Sequence, residues 1–168
     1  MIQFKVNQDD WHKIKYVLGK LESMSTLLKN DHPYECALEY KNLVYQSILG
    51  NRFGFAPLSK RYYKWKERKG YEVPGFWKLR RDLLTNLTAF QNKGKGGGYV
   101  GGIPGGIRGN KGRYVGFYGT MVEKGWFQKG KQNSARPMFE NTKDEYEVSG
   151  FKQKGEKALF VKLRGCWG

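Results

Sequence analysis

Apolar residues recur along the first fifty positions at intervals of three and four. Trp11, Ile14, Val17, Leu18, Leu21, Met24, Leu27 and Leu28 form one stripe, which predicts an amphipathic helix of about five turns. Asn7-Gln8-Asp9-Asp10 supplies capping side chains and negative charge where a helix begins. Asn30-Asp31-His32-Pro33 reads as a stop and a restart, with Pro33 suited to a first helical position. Ala37, Tyr40, Val44 and Ile48 then stripe a second helix, closed by Gly50-Asn51. Helices joined by so short a turn are expected to pack as an antiparallel pair or to flank a common sheet. Ahead of them, residues 2–6 alternate apolar and polar and predict a half-buried strand.

Further on the pattern is more broken. Ser59 is placed to cap a third, basic helix over 59–69, which Gly70 closes, and Asp82-Leu83-Leu84 suits a short helical turn. Residues 86–91 alternate as a strand, 114–122 reads as a strand or mixed segment, and a short helix is expected over 137–146. Lys157-Ala-Leu-Phe-Val-Lys-Leu163 reads as a closing strand. Residues 94–119 hold twelve of the 23 glycines. Each glycine costs about 1 kcal/mol in a helix, so this stretch reads as a long flexible loop or a hairpin arm around Tyr99, Val100 and Ile103. The sum is an α+β fold. An N-terminal strand and two amphipathic helices would pack on a mainly antiparallel sheet, with a long Gly-rich loop or arm over 94–112. One domain over 1–168 would comprise a helical part at 1–51, a middle part at 52–146 and a C-terminal strand segment at 147–168.

Charge changes this picture more than size does. The 168 residues carry 31 Lys+Arg against 15 Asp+Glu, a net +16. Residues 1–50 hold six of each sign, whereas 52–136 hold nineteen Lys/Arg and four Asp/Glu, so the field belongs to the middle of the chain. Such a field attracts anions: phosphate backbones, acidic protein faces or anionic lipid. An aromatic content of 15% argues for a folded core, not a disordered basic tail. No apolar run approaches the ~20 residues of a membrane span, and Met1–Val6 lacks the core of a signal peptide. Two cysteines, Cys36 and Cys166, make neither a disulfide framework nor a CxxC zinc site.

Catalytic patterns are thin. His12 and His32 lie in the neutral part, where capping or solvated roles suffice, and Asp82, Glu123, Glu140 and Asp144 have no spacing that demands a carboxylate pair. Gly96 to Gly101 spells a nominal GxGxxG, but Pro104 and Gly105-Gly106 forbid the helix that a dinucleotide site needs directly after it. The expectation is a non-enzyme without cofactor. Nucleic-acid binding has a stronger case. Tyr62, Tyr63, Trp65, Phe76 and Trp77 interleave with Lys60, Arg61, Lys64, Lys66, Arg68, Lys69, Lys78, Arg80 and Arg81, so bases could stack while cations hold phosphates. The same aromatics could equally fill a core.

Four ordered blocks carry a resemblance. They are Phe55-Ala-Pro57-Leu58-Ser59 with the Lys-rich stretch to Gly70; Phe76-Trp77-Lys-Leu-Arg80-Arg81-Asp82-Leu83-Leu84; Tyr118 through Val122-Glu123-Lys-Gly125; and Ala135-Arg136-Pro137-Met138-Phe139. Together they resemble head–tail joining, neck or tail-completion proteins of tailed bacteriophages. Arg80-Arg81-Asp82 stands where that family often has Thr-Gly, and the glycine stretch is longer. The resemblance implies a non-enzymatic virion subunit of the neck or tail, assembled from the host cytoplasm as a ring of identical copies, often six. Its partners would be neighbouring neck, tail-terminator or tail-tube proteins, with packaged DNA as a further contact and no membrane. On that reading the assembly candidates are Phe55, Pro57, Leu58, Tyr62, Trp65, Phe76, Trp77, Tyr99, Ile103, Pro104, Ile107, Arg136, Pro137 and Phe139. Candidates for an anionic partner are Lys60, Arg61, Lys64, Lys66, Arg68, Lys69, Arg80, Arg81, Arg108, Lys111 and Arg113.

Overall fold

The computed structural model describes residues 8–55, 59–70, 82–93, 98–108, 114–128, 131–133, 135–148 and 150–167. The two N-terminal stripes fall on one rod. Helix α1 (Gln8–Thr26) passes through a π-helical turn (Leu27–Asp31) into α2 (His32–Gly50). Thr26, Asp31 and His32 all keep right-handed helical torsions, and the His32 amide reaches back to the Leu27 carbonyl. Asn30-Asp31-His32-Pro33 therefore does not end the helix, and α1 and α2 are consecutive segments, not an antiparallel pair. Proline lacks an N–H and its ring presses on the carbonyl one turn back; a wider turn just ahead of Pro33 accommodates both. The segments of 19, 5 and 19 residues make a rod of about 65 Å. Asn51 ends it in a left-handed conformation (φ 46°), and its side chain bonds both the amide and the carbonyl of Phe55.

Helix α3 (Lys60–Arg68) forms where expected, with the Ser59 hydroxyl accepting the Tyr62 amide at 3.3 Å. Ser59→Ala should cost about 1 kcal/mol and lower Tm by about 2–4 °C, with faster amide exchange at Tyr62 and Tyr63. Helix α4 (Asp82–Thr85) leads into β1 (Thr88–Gln91), which pairs antiparallel with β2 (Tyr99–Gly102) in the register Thr88↔Gly102 to Gln91↔Tyr99. This hairpin lies on α2. From Tyr99 to Ile107 the glycine-rich segment is thus built into the chain's own fold; it is not an outreaching arm. Its ends at 94–97 and 109–112, and the strand expected at 2–6, lie outside the described residues.

The segment expected as a strand around 114–122 is helix α5 (Val115–Lys124). Its Gly119 packs against α4 and the segment after β2: a Cβ there would stand in ordinary contact, 3.4 Å from Leu83 and 3.7 Å from Ile103. A three-residue ladder follows, β3 (Trp126–Gln128) against β4 (Lys131–Asn133). Helix α6 (Met138–Val148) matches the expected helix, and Gly150 (φ 80°) separates it from α7 (Phe151–Trp167). The closing strand and the strand segment at 147–168 are therefore corrected to a helix. Its half-buried residues, Phe151, Gly155, Leu159, Leu163 and Cys166, follow a period near 3.6 that seven residues are too few to reveal. α7 runs back along the rod: Lys162 pairs with Glu35, and Lys20 donates to the Trp167 carbonyl at 2.8 Å.

The α+β expectation is overturned. Among the described residues the chain is mostly helical, with two separate two-stranded ladders and no larger sheet for helices to pack upon. One core gathers Val44 and Ile48 of α2, Leu83 of α4, Leu87, Val115 and Val122 of α5, and Met138 of α6. Tyr40, Phe53, Phe55, Leu84, Ile103, Ile107 and Phe139 pack around it.

Candidate functional site

The first half of α2, the hairpin, α5 and α6 line an apolar cleft of about 780 Å³. Tyr40, Phe90, Tyr99, Phe139 and Tyr146 give it aromatic walls, and Gly101, Gly102, Gly116 and Gly119 line it with backbone. Glu123, Lys124, Lys143 and Thr120 supply its polar atoms. A cavity of this volume with few convergent polar groups suits an apolar group held in a defined orientation.

A carboxylate clasps one wall. Glu123, near the end of α5, accepts the amides of Met138 and Glu140 at 2.9 Å each, one on each carboxylate oxygen. The Arg136 amide bonds the Val122 carbonyl beside it at 3.0 Å. The carboxylate thus caps the N-terminus of α6, whose free amides and dipole favour negative charge. Burial nevertheless pushes the Glu123 carboxyl above its ordinary range, outweighing the backbone amides of Glu140, Phe139 and Met138 that hold it down. Across the cleft the Tyr40 hydroxyl donates to the Phe139 carbonyl at 2.6 Å. Its acidity is suppressed by burial first and by the negative charges of Glu123 and Asp144 after that, so it stays a donor. Tyr40 was assigned to a stripe by its spacing; its bond to α6 spans 99 residues and has no local signal.

Chemically this arrangement holds and positions. Both oxygens of Glu123 are occupied by amides, so it is a poor proton shuttle. Cys36 and His32, one turn apart on α2, approach to 3.6 Å at the cleft's edge. Among the described residues no group of three or more His, Cys, Asp or Glu could hold a metal ion, and no helix is long and apolar enough to cross a membrane.

No family model matches the chain, and no curated protein or solved structure matches it.

The expected assembly residues divide. Tyr99, Ile103 and Phe139 line the cleft, Phe55 and Ile107 pack on the core, and Pro104 is half-buried beside them. Tyr99 also meets Tyr34 edge-on, with ring centroids 5.4 Å apart. Arg136 and Pro137 lead into α6, with the Pro137 carbonyl accepting the Asn141 amide. Tyr62 and Trp65 stack on α3, centroids 5.3 Å apart and planes within 18°. They are half-exposed, not core. Pro57, Leu58, Phe76 and Trp77 lie outside the described residues.

The anionic-partner candidates divide too. Lys60, Arg61, Lys64, Arg68 and Lys69 are exposed on or just after α3, which keeps that helix a basic surface. Lys66 is a correction: it is wholly buried and cannot meet a partner. Four-residue spacing puts it on the inner face of a helix whose other cations point outward. Arg108 is exposed but committed, its guanidinium lying over the Tyr114 ring and bonding the Tyr114 hydroxyl at 3.2 Å. Arg80, Arg81, Lys111 and Arg113 lie outside the described residues.

Proposed function

We propose that the chain is a structural virion protein of a tailed bacteriophage, one of the identical copies of a neck ring that completes the tail or joins it to the head. The observation that carries this reading is convergence. The blocks that resemble neck proteins are spread from Phe55 to Phe139, yet Phe55, Leu83, Leu84, Val122, Met138 and Phe139 share one core. Val122-Glu123 and Arg136–Glu140 are joined by three backbone-directed hydrogen bonds.

The surfaces suit assembly. A ring needs two different faces on each copy, one meeting the other on its neighbour. The apolar cleft and the basic α3, with its Tyr62–Trp65 stack, are two such faces, and aromatic and arginine side chains are those enriched at interface hot spots. The test is negative-stain imaging and light scattering of the purified chain, with mass spectrometry of phage particles. Rings, and the chain's presence in particles, are expected. A monomer in every condition, absent from particles, overturns the reading.

The exposed cations and stacked aromatics of α3 favour one alternative, a nucleic-acid-binding module. It requires DNA affinity that falls steeply with salt and is lost when Lys60, Arg61, Lys64 and Arg68 are neutralised, in a chain that does not assemble.

A further inference from the structure

α1 and the start of the π turn carry a seam whose apolar members stay open among the described residues. Trp11, Ile14, Leu18, Leu21, the half-buried Ser25 and Leu28 recur at alternating steps of three and four, the a and d positions of a heptad. The five apolar members are 46–57% exposed, and Val17 at their flank is 44% exposed. α7 packs along α1, where Lys20 reaches the Trp167 carbonyl, and at the end of the seam Leu27 falls to 8% exposed while its neighbour Leu28 stays at 47%. No residue of α1 is buried. Helices of this length are marginal in water unless an apolar face is packed, so an open seam calls for a partner.

We infer that the seam of one copy pairs antiparallel with the same seam of a second copy. With Leu18 set against Leu21 of the second copy, Trp11 meets Leu28 and Ile14 meets Ser25. The flanking positions then place Lys15 against Glu22, twice by symmetry, and Val17 against Met24. Parallel pairing gains Asp10 against Lys15, but Asp10 is already 3.7 Å from Lys13, and it sets Val17 against Glu22 and the Ser25 hydroxyls against each other in the seam. Charge and apolar matching both select the antiparallel register. The contact runs along about 27 Å of helix and buries on the order of 700 Å² per copy, close to one side of a standard interface. This goes beyond the neck reading and does not rest on it. An isologous contact is saturated by two copies and is distinct from the faces that close a ring.

Disulfide mapping tests it. Ile14→Cys and Ser25→Cys chains are mixed, oxidised and digested, and the linked peptides are identified by mass spectrometry. A 14–25 bond between copies is expected. Ile14→Cys alone should give no 14–14 bond, because the two positions lie about 16 Å apart along the axis, far beyond disulfide reach. A 14–14 bond shows a parallel pair and overturns the inference; so does the absence of both bonds in a folded chain. Leu18→Asp with Leu21→Asp should weaken self-association about 100-fold or more and leave core unfolding unchanged, since neither residue is buried. Glu22→Lys should restore the association that Lys15→Glu weakens; no restoration overturns the register. Rings without the 14–25 bond would leave the neck reading standing and remove this one. The bond in a chain absent from particles does the reverse.

Discussion

Gly101→Ala is expected to destabilise the protein by about 3 kcal/mol or more, lowering Tm by about 6–12 °C. A Cβ at this position would stand 2.5 Å from the Ala37 carbonyl oxygen, 2.9 Å from Tyr40 Cδ1 and 3.0 Å from the Lys41 nitrogen. Two of those atoms belong to the α2 backbone and cannot rotate aside. The hairpin would have to lift from α2, loosening Phe90 and Ile103 and opening the cleft. Gly105→Ala and Gly106→Ala are the controls. Nothing lies within 4 Å of either added methyl, and both should stay within about 0.5 kcal/mol of the parent. Urea and thermal unfolding of the three variants decide the matter; a neutral Gly101→Ala would mean that β2 does not press on α2.

Glu123→Ala should cost about 2–3 kcal/mol, because it strips two charge-assisted bonds from the first turn of α6 and leaves the Met138 and Glu140 amides without their acceptor. Glu123→Gln keeps one carbonyl oxygen and should cost less. The pH dependence follows from the raised carboxyl. Between the unfolded and folded values the native state holds a proton that the unfolded chain has released, so this group's contribution is complete below the ordinary carboxylate range. It is lost as pH rises through the folded value. The stability advantage of the parent over Glu123→Gln should therefore shrink from pH 4 to pH 7. An advantage that grows with pH would show that the amide bonds outweigh burial.

Where sequence and fold agree, the signal is local. The Ser59 cap, the stripe from Ala37 to Ile48, the alternation before Gln91 and the start of α6 each complete themselves within a few residues. Three differences between sequence and fold have separate causes. Pro33 looks like a boundary because its ring forbids an ordinary helical bond, but the π turn accommodates it. Lys157–Leu163 reads as a strand over a window too short to separate periods of 2 and 3.6. Gly116 and Gly119 weaken α5 as an isolated helix, and its packing in the core through Val115 and Val122 offsets that. The cleft was less legible still. Its clasp joins residues 15 and 17 apart across a strand ladder, and Tyr40 reaches Phe139 across 99. Glu123 is one of the acidic residues considered for a catalytic pair, and tertiary structure makes it a cap.

The π turn at Leu27–Asp31 also buffers the rod against a change in residue count. Each residue of an α-helix turns the chain by about 100°, and the π turn winds less tightly, so it takes up one extra residue while the helical segments on either side keep their bearing. Removing one residue there would restore an ordinary α-helix and leave Trp11 and Leu18 facing as they do. The same deletion in an ordinary turn of the rod would swing everything beyond it to another direction, so the bearing of the outer helix relative to the core is protected at this one place.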